Sequence, residues 1–125
     1  MHEITTHIVP GTISNVNLYV MDEPGQGGAH HHYHIEPITK SQPQGAINSC
    51  DIKFQNGPIK EVEVNGVNEE SLVAVLIHRL ESFQKGPYSC RENAIALTKL
   101  QEALHWMHHR TLDRTKRKVE GQNKT

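Results

Sequence analysis

The chain has few aromatic residues and few cysteines, and each shortage excludes a class of structure. Aromatic side chains make up 5% of its 125 residues, so the core has to be built from Val, Ile and Leu. A core this small favours stabilisation through oligomerisation. Cys50 and Cys90 are the only cysteines and form no C-x-x-C pair, which argues against a zinc framework or a disulfide scaffold. We expect both thiols to be reduced, as in a cytoplasmic protein.

Long apolar segments and a strong excess of charge are also missing. No apolar run approaches the length of a membrane-spanning helix, and the first residues lack the apolar centre of a signal peptide. We therefore expect a cytoplasmic protein without a membrane partner. The formal net charge is −1 at pH 7, but basic residues gather from Arg110 onward. A basic end on a near-neutral body favours a local anionic ligand over nucleic acid.

Apolar periodicity predicts an α+β fold, in which a small antiparallel sheet of about four strands precedes two helices. The strands are predicted at residues 12–21, 29–38, 46–55 and 59–64, with a loop at residues 41–45. Asn56-Gly57 between apolar runs predicts a hairpin that joins the last two strands. We expect a single domain over residues 1–125, with the strands within residues 12–64 and the helices within residues 68–118.

The helix boundaries follow from capping residues. Asn68 can cap the first helix, and Gly-Pro at residues 86–87 can end it. Ser89, with a glutamate three residues later, has the spacing of a capping box for the second helix. That helix is expected to reach about Lys118 and to be roughly 40 Å long, so that its basic end projects into a partner subunit. Residues 119–125 are expected to fray.

Three arginines share one face at the end of the second helix. Arg110, Arg114 and Arg117 follow one another at spacings of four and three residues. Guanidinium groups bind phosphates through paired N–H donors, and two on one face suit a diphosphate. Exposed charge is also the ordinary state of a helix end, where it complements the helix dipole. On spacing alone, a solvated basic surface is the favoured alternative.

Two other side chains can contact a nucleobase. Phe83, at the end of the first helix, can stack on a base, although core packing is more usual for such a residue. Asn93, in the first turn of the second helix, can donate to and accept from an adenine edge. An ordinary surface role is more usual for it. Arg91 and Glu92 can serve the helix cap alone.

No complete catalytic or metal-binding motif is present. The phosphodiesterase class that uses two His-x-Ser/Thr motifs is matched once, at residues 109–111, and neither a P-loop nor a nucleophile elbow occurs. The histidines that share a strand or helix face are His30, His32, His34, His105 and His109. No nearby cysteine and no H-E-x-x-H motif accompanies them. We expect no metal and no cofactor, and we expect the strand histidines to be half-buried polar surface.

Four segments carry a family signature. They are residues 22–25, 28–35, 87–93 and 96–104. Together they resemble the Thoeris anti-defence protein one family of bacteriophages. The helical part, through residues 110–121, is also similar to phage anti-CBASS protein two. The start of the second helix is the more specific part of this signature.

The resemblance implies a non-enzymatic protein that binds nucleotide second messengers of bacterial immunity and withholds them from their effectors. The implied ligands are cyclic ADP-ribose isomers, with cyclic di- and trinucleotides as further ligands. The implied assembly is a homo-oligomer, either a dimer or a hexamer built as a trimer of dimers. Phe83 would stack on a base, Asn93 would read it, and Arg110 and Arg114 would bind phosphates. Arg91 would face a second pocket, for cyclic trinucleotides.

The residues leave two other functions open. One is a cyclic-nucleotide phosphodiesterase, which would turn over its ligand. The other is a nucleic-acid-binding regulator that uses the basic C-terminal helix and loses binding steeply as salt rises. With the resemblance included, binding of a small ligand between two subunits is the favoured function of the arginine stripe.

Overall fold

A computed structural model of the chain describes residues 1–39 and 48–116. The contacts define two compact units. The first contains residues 1–57 and 64–67, and the second contains residues 58–63 and the chain from Asn68 onward. The predictions that lie outside the described residues are the loop at 41–45, the first residues of the strand at 46–55, Arg117, the helix end at Lys118 and the tail at 119–125.

The first unit is a four-stranded antiparallel sheet. Its strands, in spatial order, are β1 (His2–Ile4), β2 (Val16–Val20), β3 (His32–Pro37) and β4 (Cys50–Lys53). Neighbours in sequence are also neighbours in the sheet, and the predicted antiparallel sheet of about four strands is confirmed. The short β1 was not predicted, because three residues are too few for an alternating pattern to be recognised.

One face of this sheet is apolar. The register pairs Val20 with Tyr33 and Tyr33 with Ile52, so these side chains form one row across three strands. Val20 has 2% of its surface exposed and is the only fully buried apolar residue in the described part of the chain. The ring of Tyr33 meets that of Phe54 edge to face, with centroids 5.8 Å apart. The core is therefore as small as the composition predicts.

The opposite face of the sheet carries a network of polar side chains. His32 Nε2 and His34 Nδ1 both donate to one carboxylate oxygen of Asp51, at 2.8 and 3.2 Å. These hydrogen bonds lower the pKa of Asp51 below its ordinary value, and the bond from His32 has the largest effect. Glu36 accepts a hydrogen bond from Asn17 Nδ2 at 3.1 Å. No group of three or more potential ligands in the described segments has a geometry that could hold a metal ion.

A turn around Asp22 determines where β3 begins. The Asp22 carboxylate accepts hydrogen bonds from the backbone N–H groups of His31 and His32, at 2.9 and 3.2 Å. The bond from His31 is the main reason that the pKa of Asp22 lies below its ordinary value. His30 lies in this turn, with Nδ1 2.8 Å from the Asp22 carbonyl oxygen. β3 therefore starts at His32 rather than at Ala29, and His30 does not share the strand face of His32 and His34.

The prediction of a strand at residues 59–64 is wrong. Ile59–Val62 forms α1, a single helical turn. Proline has no N–H for a strand ladder and suits the start of a helix. Accordingly, the Pro58 carbonyl accepts from Glu61 N at 3.0 Å and Val62 N at 2.9 Å. The predicted Asn-Gly hairpin fails too, because its usual turn needs positive φ at both central residues and only Gly57 has it.

The chain instead returns to the first unit through a pair of asparagines. Asn56 N donates to Asn65 Oδ1, and Asn65 Nδ2 donates back to the Asn56 carbonyl, both at 2.8 Å. Val67 then forms a parallel bridge with Phe54. Gly66 precedes Val67 in this connection and lies against the backbone of Lys53 and Phe54, at the end of β4.

The second unit contains the two predicted helices, α2 (Glu69–Gln84) and α3 (Arg91–Lys116). The Asn68 side chain accepts a hydrogen bond from Ser71 N at 2.9 Å, which confirms the predicted N-cap. α3 begins at Arg91, one residue later than a cap at Ser89 would place it. None of the helices in residues 1–39 and 48–116 combines the length and the apolar character needed to cross a membrane.

The two helices form an antiparallel hairpin. Their larger half-buried aliphatic side chains are Leu72, Val73, Ile77, Leu80, Leu97, Leu100, Leu104 and Met107. No residue of either helix is fully buried. The α+β prediction is therefore confirmed, with a helical part that buries little surface within one chain.

Gly66→Ala should destabilise the first unit. A Cβ at this position would overlap the backbone of Lys53 and Phe54. We expect a loss of about 1–3 kcal/mol in the free energy of unfolding, as for other overpacked sites. Urea unfolding followed by circular dichroism measures it. Gly86→Ala is the matched control, because its nearest contact would be an ordinary 3.7 Å. Equal stability of the two variants would contradict the close approach at Gly66.

Candidate ligand-binding site

Phe83 lies in the last turn of α2 and is half-buried. The guanidinium carbon of Arg79, one turn earlier, lies 4.9 Å from the centroid of its ring. The ring of Tyr88 meets it edge-on, with centroids 6.4 Å apart. Phe83 and Arg79 line an open groove of about 540 Å³ together with Val75, His78 and Ser82. The Arg79 guanidinium thus covers one face of the ring, while the residue still borders an open groove.

The connection between the helices is held by the side chain of Gln84. Its Oε1 accepts from Cys90 N and its Nε2 donates to the Cys90 carbonyl, both at 3.1 Å. These two bonds join the last residue of α2 to the residue before α3. They keep Phe83 and Asn93 at the same end of the hairpin. Sequence reasoning did not identify Gln84, because its partner is the backbone of a turn whose geometry the sequence does not display.

Asn93 and Arg91 lie in the first turn of α3. Asn93 is half-buried, whereas Arg91 is exposed. Arg91 lines a second open groove, of about 330 Å³, with Ala94, Ile95, Thr98 and Lys99. Phe83 and Arg91 therefore line different grooves. Two cations, Arg91 and Lys99, border the second groove, which suits an anionic group.

Arg110 is held by carboxylates at the opposite end of the hairpin. Its Nη2 lies 3.3 Å from Glu69 Oε2 and 3.6 Å from Glu70 Oε1. The Arg110 side chain is 45% exposed and that of Glu70 is 20% exposed. This arrangement fixes the guanidinium but also offsets its charge. The carboxylate partners were not anticipated, since Glu69 and Glu70 sit 41 and 40 positions before Arg110 in the sequence.

Two more contacts stabilise this end. Thr111 Oγ1 donates to Glu70 Oε2 at 3.4 Å. The other oxygen of Glu70, Oε1, is buried and has no hydrogen-bond partner within residues 1–39 and 48–116, so the nearby Arg110 guanidinium supplies its electrostatic compensation. Arg114, one turn after Arg110, is half-buried in the last turns of α3. Arg110 and Arg114 remain on one face of the helix, as their spacing predicts.

The candidate residues form two groups within one chain. Phe83 and Asn93 are at the turn of the hairpin, and Arg110 and Arg114 are near its open end. Arg110 follows Asn93 by 17 positions along α3, which at a rise of about 1.5 Å per residue amounts to about 26 Å. The aromatic and amide groups thus cannot contact the same small ligand as the arginines of the same chain.

The chemistry of the two groups is complementary. The turn end offers an aromatic ring and an amide, which suit a nucleobase. The open end offers guanidinium groups, which suit phosphate. A nucleotide presents both a base and a phosphate, so each group provides half of what such a ligand needs.

The helical part of the chain matches a known family. The sequence profile of the family described as "Acb2/Tad1, hairpin domain" matches residues 46–112 of the chain. The matched range contains all of α2 and most of α3. It includes the candidate residues Phe83, Arg91, Asn93 and Arg110, and it ends just before Arg114.

A curated relative supports the same family. The protein "Thoeris anti-defense 1" of Bacillus phage SBSphiJ7 is 51% identical to this chain over 70 residues. The aligned region is 56% of this chain and 49% of the relative, so the match spans about half of the relative's length. The resemblance seen in the sequence is thereby confirmed. Because the family profile covers more than half of its residues, the chain belongs to the Acb2/Tad1 hairpin-domain family.

Proposed function

We propose that this protein binds nucleotide second messengers of bacterial anti-phage immunity and sequesters them without cleavage. The name of the curated relative, an anti-defence protein of a phage, supports a role against host immunity. The messengers would be cyclic ADP-ribose isomers, with cyclic di- and trinucleotides as further ligands. The site of action would be the host cytoplasm, where such messengers reach their effectors.

The observation that carries this proposal is the separation of two complementary groups by about 26 Å of one rigid helix. A second copy of the chain, paired with the first in antiparallel orientation, would bring Phe83 and Asn93 of one subunit to Arg110 and Arg114 of the other. Neither α2 nor α3 has a fully buried residue in the single chain, which also favours a further protein surface on the hairpin. The proposed assembly is a homo-oligomer, as a dimer or as a trimer of dimers.

The energies of such a site are sufficient for sequestration. A hydrogen bond to a charged group contributes about 1.5–3 kcal/mol, and stacking of one base contributes about 1–3 kcal/mol. Several of these contacts, less the ordering costs, reach about −12 kcal/mol, which corresponds to nanomolar affinity. A ligand held this tightly is removed from its effector by mass action. No bond in the ligand has to break.

The groove at Arg91 is the proposed second site. It lies on α3 away from the Phe83 groove and pairs Arg91 with Lys99. Two cations beside one groove suit a ligand with several phosphates, such as a cyclic trinucleotide. Binding there would be independent of Phe83 if the two ligand classes occupy separate sites.

The proposal predicts that bound ligand is recovered unchanged. A cyclic ADP-ribose isomer or a cyclic dinucleotide is incubated with the protein, the protein is denatured, and the released nucleotide is quantified by chromatography. We expect the input compound in full yield and in a fixed ratio to protein. Product that accumulates at substoichiometric protein would instead support the phosphodiesterase alternative.

Arg110→Ala should reduce affinity for these ligands by tens of fold or more, because it removes a charge-assisted contact to phosphate of about 1.5–3 kcal/mol. Calorimetry measures the affinity, and thermal unfolding checks that the variant is folded. Glu69→Gln is the matched control: it breaks the same 3.3 Å ion pair but keeps the guanidinium. We expect its affinity not to fall. Equal losses in both variants would mean that Arg110 acts only through that ion pair.

A site shared by two chains predicts complementation between variants. Phe83→Ala and Arg110→Ala each damage both sites of a homodimer. In the mixed dimer, one site combines the intact Phe83 of one chain with the intact Arg110 of the other. After co-refolding at equal amounts, we expect about a quarter of the wild-type number of high-affinity sites. Calorimetry of the mixture counts them.

The control for this experiment is a mixture of Phe83→Ala with Asn93→Ala. Both changes lie at the same end of the hairpin, so every pairing leaves each site damaged. We expect no recovery from this pair. Recovery in neither mixture, with each subunit mixture shown to exchange, would place the site within one chain.

A further inference from the structure

Trp106 presents an indole ring to solvent near the arginine end of α3. It is the only tryptophan of the chain, and 67% of its surface is exposed. Tryptophan is normally largely buried, so an exposed indole leaves an extended aromatic surface in water. Sequence reasoning did not select this residue, because its position in the helix resembles that of any surface residue.

Two histidine rings stand beside the indole. The centroid of the Trp106 ring lies 5.8 Å from that of His105 and 5.7 Å from that of His109, with interplanar angles of 77° and 84°. Contacts between nearly perpendicular rings are a favourable aromatic geometry. They restrict the rotation of the indole while most of its surface stays accessible. The indole thus has two ring neighbours on its own helix and a large accessible surface.

Arg110 follows Trp106 by four residues and lies on the same side of α3. The ion pairs with Glu69 and Glu70 limit where the Arg110 guanidinium can point. An aromatic surface and a fixed guanidinium thus lie about one helical turn apart, with Cβ atoms about 5–6 Å from each other. A nucleotide, in which base and phosphate are linked through one sugar, carries the matching pair of groups.

We infer that Trp106 stacks on a nucleobase of a ligand whose phosphate is bound by Arg110. This inference rests on the proposed function and names the ligand class more narrowly. In a site shared by two chains, Phe83 of one subunit takes one base and Trp106 of the other takes a second. The ligand class that uses both aromatic residues is a cyclic dinucleotide, which has two bases. A cyclic ADP-ribose isomer has one adenine and does not need Trp106.

The test uses the single tryptophan as its own reporter. Wild-type protein is titrated with a cyclic dinucleotide and, separately, with a cyclic ADP-ribose isomer, and binding is followed by calorimetry and tryptophan fluorescence. We expect the dinucleotide to quench the fluorescence in step with calorimetric binding. The cyclic ADP-ribose isomer should bind with little change in the emission.

Substitutions at Trp106 separate stacking from other roles. Trp106→Ala should lower the affinity for the dinucleotide by about ten- to a hundredfold and leave the affinity for the cyclic ADP-ribose isomer unchanged. Trp106→Phe, which keeps an aromatic face, should retain most of the affinity, whereas Trp106→Leu should not. Leu112→Ala is the matched control, since it removes another exposed apolar side chain of α3, 61% exposed. Its affinities should equal those of the wild type.

Three outcomes would overturn the inference. Trp106→Ala could bind the dinucleotide as tightly as wild type, or it could weaken both ligands equally. It could also lower the oligomer mass measured by light scattering, which would make Trp106 an interface anchor. Wild-type protein that binds no ligand of either class would instead reject the proposed function, and with it this inference. Normal binding with unchanged tryptophan emission rejects the inference alone.

Discussion

The rigidity of α3 keeps the candidate base-binding residues apart from the candidate phosphate-binding residues of the same chain. A continuous helix of 26 residues cannot bend its two ends toward one another, so the groups at the turn and at the open end stay apart. Both ends of the α2–α3 pair are fastened by side chains. Gln84 holds the Cys90 backbone at the turn, and Glu70 contacts Arg110 and Thr111 at the other end. The hairpin therefore sets a defined distance between these groups, and under the proposed function a complete site forms when two chains pair.

The sequence allowed the helices to be predicted better than the sheet. Asn68 and the Gly-Pro at residues 86–87 mark the boundaries of α2 by local rules, which the structure obeys. The error at residues 59–64 arose because their apolar content suits a strand or a helix turn equally well. Pro58 decided between them by removing a ladder donor and accepting the first helical hydrogen bonds. The local apolar pattern alone does not distinguish a strand from a helical turn here.

Sequence reasoning proposed the candidate residues of the site but not the partners that hold them. Phe83, Asn93, Arg110 and Arg114 are of residue types that recognise bases and phosphates, and the family signature selects them. Their partners could not be found in the same way. Glu70 meets Arg110 only after 40 residues of chain have folded back, and the pairing of Gln84 with the Cys90 backbone depends on the shape of the turn. The exposed Trp106 ring could not be selected from the sequence either, because the helical pattern does not show how much of a side chain is exposed.

The carboxylates around Arg110 bear on which anions can bind. Glu69 and Glu70 lie 3.3 and 3.6 Å from the Arg110 guanidinium and offset its charge, although residues 110–125 as a whole carry six basic and two acidic side chains. A guanidinium paired with carboxylates contributes less long-range attraction than a free one, so a polyanion such as nucleic acid gains less at Arg110 than the number of basic residues suggests. A small nucleotide gains from short-range contacts instead: a guanidinium held in place, an indole one turn away, and a base-binding group from a second chain. The ion-paired Arg110 therefore favours a ligand that is recognised by shape and hydrogen bonding over one that is recognised by charge alone.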